Sequence, residues 1–256
     1  MRRRRTIFIV PIETLDLTLI SSHPIHIVNT LFETWRYEKE EDGCRLSAGD
    51  VNDDIRGFVS HRETHIELDP NGAPIPGTGD ALFMDGFETG DLSAWSQNVN
   101  DSGDLAASAG AAMAGDYGMI ALIDDNNRIY IVEESPFMET RYRARFYFDP
   151  NTITMANNNA HYIFYGYGAS ETLIVRIELR YSVGDYQIRA EARDDGSTWS
   201  SSDWVTLPDG PHAIELDWQA ASGDGSNNGR LSLWVDEEEK AAFTNIGNDT
   251  RRMEKV

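Results

Sequence analysis

The 256-residue chain contains a single cysteine, Cys44, so no disulfide can form within it. A chain of this length can bury a core without such staples. Many exported bacterial β-proteins also lack cysteine, so the shortage leaves the compartment open. Basic residues are scarce as well: 22 Lys and Arg stand against 43 Asp and Glu, a formal net charge of −21. The deficit is concentrated beyond residue 80, where 29 acids oppose 13 bases. Phosphate recognition needs clustered Lys and Arg, so nucleic acid and anionic membrane surfaces are poor expected partners, while neutral sugars, cations and basic proteins stay open. Long apolar runs are missing too. The opening MRRRRTIFIVPIETLDLTLI has a basic cluster before an apolar stretch, as a signal peptide or anchor does. Pro11, Glu13 and Asp16 interrupt it well short of the roughly 20 apolar residues of a span, and no small-residue cleavage site follows. No membrane span is expected, and a functional signal peptide is not the reading favoured. There is no glycine-rich phosphate loop, serine elbow or Cys/His metal cluster.

What is present divides into unequal parts. Residues 1–69 show no sustained hydrophobic period: TIFIV and LDLTLI suit short strands or a helix, and LFETWRYEKEE reads as a polar-faced helix. Residues 70–80 fall in LDPNGAPIPGTGD, whose Pro, Gly and Asn cannot hold a helix or a central strand, and which therefore reads as a linker. From 81 to 256 the pattern becomes alternation with period two. In RYRARFYF, Tyr142, Ala144, Phe146 and Phe148 oppose Arg141, Arg143 and Arg145. TLIVRIELRY, DYQIRAEA, HAIELDW and RLSLWVD repeat the scheme between turn-forming separators such as VGD, DDGS and GDGSNNG. These are half-buried antiparallel strands, and the economical fold is an all-β, two-sheet antiparallel sandwich or jelly roll, preceded by a poorly defined N-terminal region.

The ordered blocks DGFETGDLSAW, ALIDDNNRIYI, RYRARFYFDP, HYIFYGY, PHAIELDW and GRLSLWVD, over roughly residues 82–252, resemble the concanavalin A-like or laminin-G-like jelly-roll modules of exported bacterial proteins. The resemblance implies a secreted or cell-surface location and a binding or adhesive role, although this fold hosts lectins, glycosidases and plain spacers alike. It also implies a closing aromatic strand of the type YYFDxF beside the DGFE strand. The chain instead stops at DTRRMEKV, so the expectation is a module shortened at its C-terminus, with an unpaired edge on its first strand and a tendency to associate. In DGFETGDLSAW, Phe83 and Phe87 are expected on one strand face in the core, Gly86 and Gly90 at tight bends, and Trp95 as a lid. In jelly-roll carbohydrate-binding modules the opening acids often help hold a structural Ca2+, which makes Asp85 and Glu88 the candidate metal ligands. No other cofactor is required.

Exposed aromatic residues are the better functional signal. Tyr165 and Tyr167 fall on the face opposite Phe164, and Trp199 and Trp204 lie in the polar stretch STWSSSDW. Flat rings beside polar groups suit sugar faces, so these four are the candidate ligand-binding residues, for a polysaccharide or cell-surface glycan. Trp234 also falls opposite Leu233 and Val235. Catalysis is not expected. Laminarinase-like members of the fold carry E-x-D-x-(x)-E, whereas the nearest run here is Glu215, Asp217, Gln219 and Ala220, and the last two cannot supply the second carboxyl of a retaining glycosidase. HRETH at 61–65 has its Glu one position late for H-E-x-x-H, and GDVNDDIRG departs from a calcium loop at Ile55 and His61. The loop Asp124 to Asn127 is expected to be a hairpin turn, with an oxygen-rich cation site as its alternative.

Overall fold

Alternation places one apolar and one polar face on the long central strands, as in Arg141–Phe148 and Gly229–Val235, and the apolar faces have to meet. The computed structural model describes residues 81–256 together with three short N-terminal strands, Ile7–Phe8 (β1), Pro24–Ile25 (β2) and Phe32–Trp35 (β3). HRETH, GDVNDDIRG, Cys44 and residues 70–80 lie outside the described residues. The following strands are Ala81–Asp85 (β4), Gln97–Val99 (β5), Leu105–Ser108 (β6), Gly118–Leu122 (β7), Tyr130–Val132 (β8), Arg141–Phe148 (β9), Ala160–Gly168 (β10) and Thr172–Ser182 (β11). They continue with Asp185–Arg193 (β12), Trp199–Ser201 (β13), Val205–Leu207 (β14), His212–Gln219 (β15), Gly229–Val235 (β16) and Glu238–Ile246 (β17).

Two large antiparallel sheets form the sandwich. One has the order β17-β16-β15-β9-β3-β4, and the other runs β10-β11-β12, with β13 and β14 both paired to β12. Two further sheets have three strands each, β1-β8-β5 and β2-β7-β6. Tyr142, Phe146 and Phe148 of β9, Leu216 and Trp218 of β15, Leu231 and Leu233 of β16, and Val175, Ile177 and Leu179 of β11 are buried in one continuous core. The stacked rings of Phe146 and Phe164, 6.2 Å between centroids, join the two sheets across it. The expected all-β sandwich is therefore what forms.

The structure corrects the N-terminal reading. LFETW supplies a strand and not a helix: β3 pairs with β9 on one side (Thr34 opposite Ala144) and with β4 on the other (Phe32 opposite Asp85). A helix of a few residues gains little from its own hydrogen bonds, whereas two open strand edges offer a partner on both sides. β4 accordingly closes this sheet as its last strand, held by β3. At the other end of the sequence, Met253 exchanges backbone hydrogen bonds with Glu139 (2.9 and 3.0 Å), Val256 does so with Glu133, and Tyr167 of β10 donates to Lys255 O at 2.8 Å. Met253 passes so close to Gly166 that a Cβ there would lie 2.7 Å from its methyl carbon.

The DGFETGDLSAW stretch also differs from expectation. β4 ends at Asp85, and Phe87 has left the strand with φ +60°; Phe87, not Gly86, takes the left-handed conformation. Asp85 makes this possible: its Oδ1 accepts from Phe87 N–H at 3.0 Å and its Oδ2 from the Trp95 indole N–H at 2.6 Å. The indole then lies edge-on to Phe83 (4.6 Å) and parallel to Phe87 (6.0 Å). Burial pushes the Asp85 carboxyl above the usual carboxylate range, against the pull of these two donors.

Two predictions follow from the core. Asn at position 85 replaces one of the two acceptor oxygens with a donor, so Asp85→Asn is expected to cost about 1–3 kcal/mol. Trp95→Phe removes the donor to the same carboxylate and some buried volume and should cost at least as much, and the double variant should fall short of the sum, as read from urea midpoints at constant m; strict additivity would show that the bond contributes nothing. The second concerns His161, which lies on the inner face of β10 opposite Leu179, is 6 % exposed, and has its pKa pushed down to about 4 by burial. The unfolded chain binds this proton near pH 6.5 and the folded chain does not. Stability is therefore full above pH 6.5 and declines as pH falls toward 4, by roughly 3 kcal/mol from this group. His161→Phe should flatten that part of the stability profile.

Candidate functional site

The outward side chains of β10, β11 and β12 come into register by ordinary antiparallel pairing. Tyr165 stands opposite Arg176 and Arg176 opposite Glu191; Tyr162 stands opposite Glu178 and Glu178 opposite Arg189; Arg180 faces Gln187. Opposite charges thus meet at both central rows. Arg176 Nε donates to Glu191, Arg189 Nε donates to Glu178 at 2.7 Å, and Arg189 Nη2 lies 3.5 Å from Glu191. Ser201 Oγ on β13 also donates to Glu191, at 2.6 Å. Glu191 is almost fully covered, with a side chain 3 % exposed.

Two irregularities place the aromatic residues on this charged ladder. The register slips between Tyr162 and Phe164, so β10 carries one extra residue there. That bulge turns Tyr162 to the same side as Tyr165, with ring centroids 5.1 Å apart, and Tyr167 packs edge-on to Tyr165 at 5.7 Å. On the opposite edge, β13 and β14 run in succession along β12, separated by Ser202, Asp203 and Trp204. Ser202 still pairs with Ala190, and the one surplus residue between it and Val205 lets the Trp204 ring swing over β12. The Arg180 and Arg189 guanidiniums lie 3.8 and 4.5 Å from the centre of that ring. Arg176 lies against both Tyr162 (4.8 Å) and Trp199 (4.4 Å), and Arg193 is 5.8 Å from the Trp199 ring.

The four aromatic residues expected to bind ligand are therefore gathered on one sheet face, but not all as expected. Tyr165 is no exposed platform: it is 6 % exposed, packed between Tyr162 and Tyr167. Burial drives its hydroxyl, and that of Tyr167, far above the ordinary phenol range. Trp199 and Trp204 are half-buried and carry guanidiniums on their rings. Tyr162 and the four arginines were missed as site residues. Alternation put Arg176, Arg180 and Arg189 on the wet face, but nothing in the sequence marks the two bulges that stack them on rings.

Asp85 and Glu88 do not belong to this face. Asp85 holds Phe87 and Trp95 as described, and Glu88 Oε2 accepts from Asp116 N at 2.9 Å. Among the described residues there is no group of three or more His, Cys, Asp or Glu placed to hold a metal. The Asp124 to Asn127 loop is not a hairpin: it carries the chain from β7 to β8, which belong to different sheets. Asp125 satisfies it locally by accepting from Asn127 N (2.6 Å) and Asn127 Nδ2 (2.7 Å). On the outer face of the six-stranded sheet, Asp217 is 5 % exposed and takes two hydrogen bonds from Arg141 (2.8 and 2.5 Å), with Arg230 at 3.5 Å and Arg143 at 4.0 Å. Glu215 lies 3.6 Å from Arg145. Trp234 is half-buried on that same sheet.

Comparison of the chain with protein-family models, with curated proteins and with solved structures finds no match. None of the helices among the described residues is long and apolar enough to cross a membrane.

Within the ladder, Glu191 and the arginines differ in what their loss would do. Removing the Glu191 charge leaves Arg176 and Arg189 partly buried and short of a counter-ion, so Glu191→Gln is expected to destabilise by about 3 kcal/mol. Arg180→Gln and Arg193→Gln break no ion pair among the described residues and should each cost about 1 kcal/mol or less. Chemical denaturation of the three variants checks the ranking; equal losses would show that the ladder does not discriminate paired from unpaired arginines.

Proposed function

We propose that the chain is a non-catalytic binding module of an exported bacterial protein, of the concanavalin A-like kind, and that it takes a glycan on the outer face of the five-stranded sheet. The observation that carries this reading is the gathering of Tyr162, Tyr167, Trp199 and Trp204 with four arginines on one solvent-facing side of the sandwich. Core packing does not demand it, because the apolar faces of the same strands already fill the interior. Rings and planar multi-donor groups side by side are what saccharide recognition uses.

A catalytic role has less support. Asp217 of the Glu215 to Ala220 run is bound by Arg141 with Arg143 and Arg230 close by, and Gln219 has no titratable carboxyl to act as acid or base. Asp85 and Glu88 take no part in this glycan site: Asp85 accepts from Phe87 N and the Trp95 indole, and Glu88 from Asp116 N. An inert structural spacer is the competing reading, and the observation in its favour is that the central Arg–Glu pairs of the face satisfy one another internally.

The test is thermal unfolding of the full chain with soluble β-glucan, xylan, galactan, polygalacturonate and dextran sulfate. A ligand bound only by the folded state raises the melting temperature, and a saturating one at about 100 times its Kd should add roughly 2.7 kcal/mol of stability. At least one of these polymers should shift the melting temperature of the parent chain and not that of a Trp199→Ala/Trp204→Ala variant that still unfolds cooperatively. No shift with any polymer would leave the spacer as the function.

A further inference from the structure

We infer that the glycan bound on this face is acidic, carrying carboxylate or sulfate groups, and that Arg180 and Arg193 are the two residues that bind its anions. This inference rests on the proposed glycan-binding role and narrows it to one class of ligand.

The arginines of the face fall into two kinds. Arg176 and Arg189 are matched by Glu191 and Glu178, so the middle of the face is close to neutral. Arg180 and Arg193 have no carboxylate within ion-pair distance among the described residues. Among the described residues Arg180 donates only to the Gln187 side-chain oxygen, at 2.8 Å, and Arg193 only to the Ser197 carbonyl, at 3.3 Å. The nearest acids in sequence to Arg193 are engaged elsewhere: Asp194 accepts from Thr198 N at 2.6 Å, and Asp195 lies 3.4 Å from Arg251. Two uncompensated positive charges are therefore held on one face of a chain whose formal net charge is −21. Those acids repel a polyanion in general, but over distances longer than about 8 Å they are screened at physiological salt, whereas groups in direct contact are not.

The stacking itself favours an anion over a neutral sugar. Guanidiniums lie over the Trp199 and Trp204 rings, so beside each indole the face offers N–H donors and positive charge as well as apolar surface. A guanidinium held beside an indole and by one hydrogen bond from its Nε, as Arg180 and Arg193 are, keeps its terminal N–H groups for an oxyanion and has less freedom left to lose on binding one. Arg180 stands opposite Gln187, six residues before Arg193 along β12. At the rise of a strand this sets the two stations about 20 Å apart, the span of an oligosaccharide segment and not of one ring.

The experiment is affinity electrophoresis and titration calorimetry of the full chain with polygalacturonate (carboxylated), dextran sulfate (sulfated), β-glucan and galactan (neutral), and oligo(dT). Acidic polymers should bind in preference to neutral ones, and the two acidic arms separate carboxylate from sulfate as the source of the anion. Raising salt from about 0.15 to about 1 M should weaken that binding at least about tenfold. Arg180→Gln/Arg193→Gln should weaken it by about tenfold or more at constant fold, as confirmed by thermal unfolding. Lys240→Gln, on the other large sheet, should change nothing. Arg180→Lys/Arg193→Lys, which keeps the charges, should bind more tightly than the glutamine pair and so guards against a folding defect. Preferential, salt-insensitive binding of a neutral glycan that survives Arg180→Gln/Arg193→Gln would overturn the acidic assignment and leave the glycan-binding role standing. Binding to none of the glycans would overturn both, and oligo(dT) binding as tight as that of the acidic glycans would show that the face reads phosphate.

Discussion

The structure depends on strand register, above all where β11 meets β12 and where β9 meets β15. In those pairings Val175, Ile177 and Leu179 face the core alongside Ala192, Ala190 and Ile188, while Arg176, Glu178 and Arg180 stand outside opposite Glu191, Arg189 and Gln187. A slip of one residue would bury the charged set and expose the apolar one. The outer pairs reinforce the choice, because the correct register places unlike charges opposite one another in two consecutive rows. The same logic operates on the other sheet, where Asp217 lies across from Arg143 on β9 and is held by Arg141 and Arg230. Core and surface thus specify one alignment from opposite sides, and any binding face built on the outer residues inherits its geometry from the hydrophobic interior.

This arrangement also accounts for a very acidic chain whose folded surface is uneven. Of the bases beyond residue 80, Arg141, Arg143, Arg145, Arg176, Arg180, Arg189, Arg193 and Arg230 all stand on strands of the two large sheets, whereas acids such as Asp91, Asp124, Asp125 and Asp209 lie on connections. Guanidinium groups suit a sheet face: their long apolar stems cover the strand beneath and their planar heads pair or stack with the neighbours. Net charge describes such a surface poorly. It sets the long-range field, but local recognition is decided by which arginines the fold has already matched with a carboxylate.

How much of this was legible follows from what alternation encodes. A period of two specifies which side chains are wet and which dry, and so the sandwich, the inward Phe146 and Leu216 and the outward Arg176 and Glu178 could all be read from the sequence. It assigns no partner across a gap in sequence, which is why β3 between β4 and β9 was not foreseen and LFETW looked helical. It also fails wherever a strand gains a residue. The bulge after Tyr162 brings that ring beside Tyr165, and the surplus at Asp203 and Trp204 throws an indole back over β12. The opening turn hid its logic for another reason: Phe87 at positive φ, where glycine was the natural candidate, is tolerated because Asp85 caps its N–H and its ring lies against Trp95.

Those departures from regular pairing are also what gives the five-stranded sheet its character. Without the bulge and the excursion, the face would be an ordinary ladder of matched charges, the Arg176–Glu191 and Arg189–Glu178 rows alone, self-sufficient and indifferent to solutes. The insertions bring rings onto the ladder, and the rings hold arginines at positions where register supplies no acid: Gln187 opposite Arg180, and Trp199 opposite Arg193. A cation held by a ring is fixed in place yet only partly compensated, since the attraction of an indole face is a fraction of that of a buried carboxylate. Fixed orientation with residual charge is the condition under which an incoming anion gains most and the protein reorganises least.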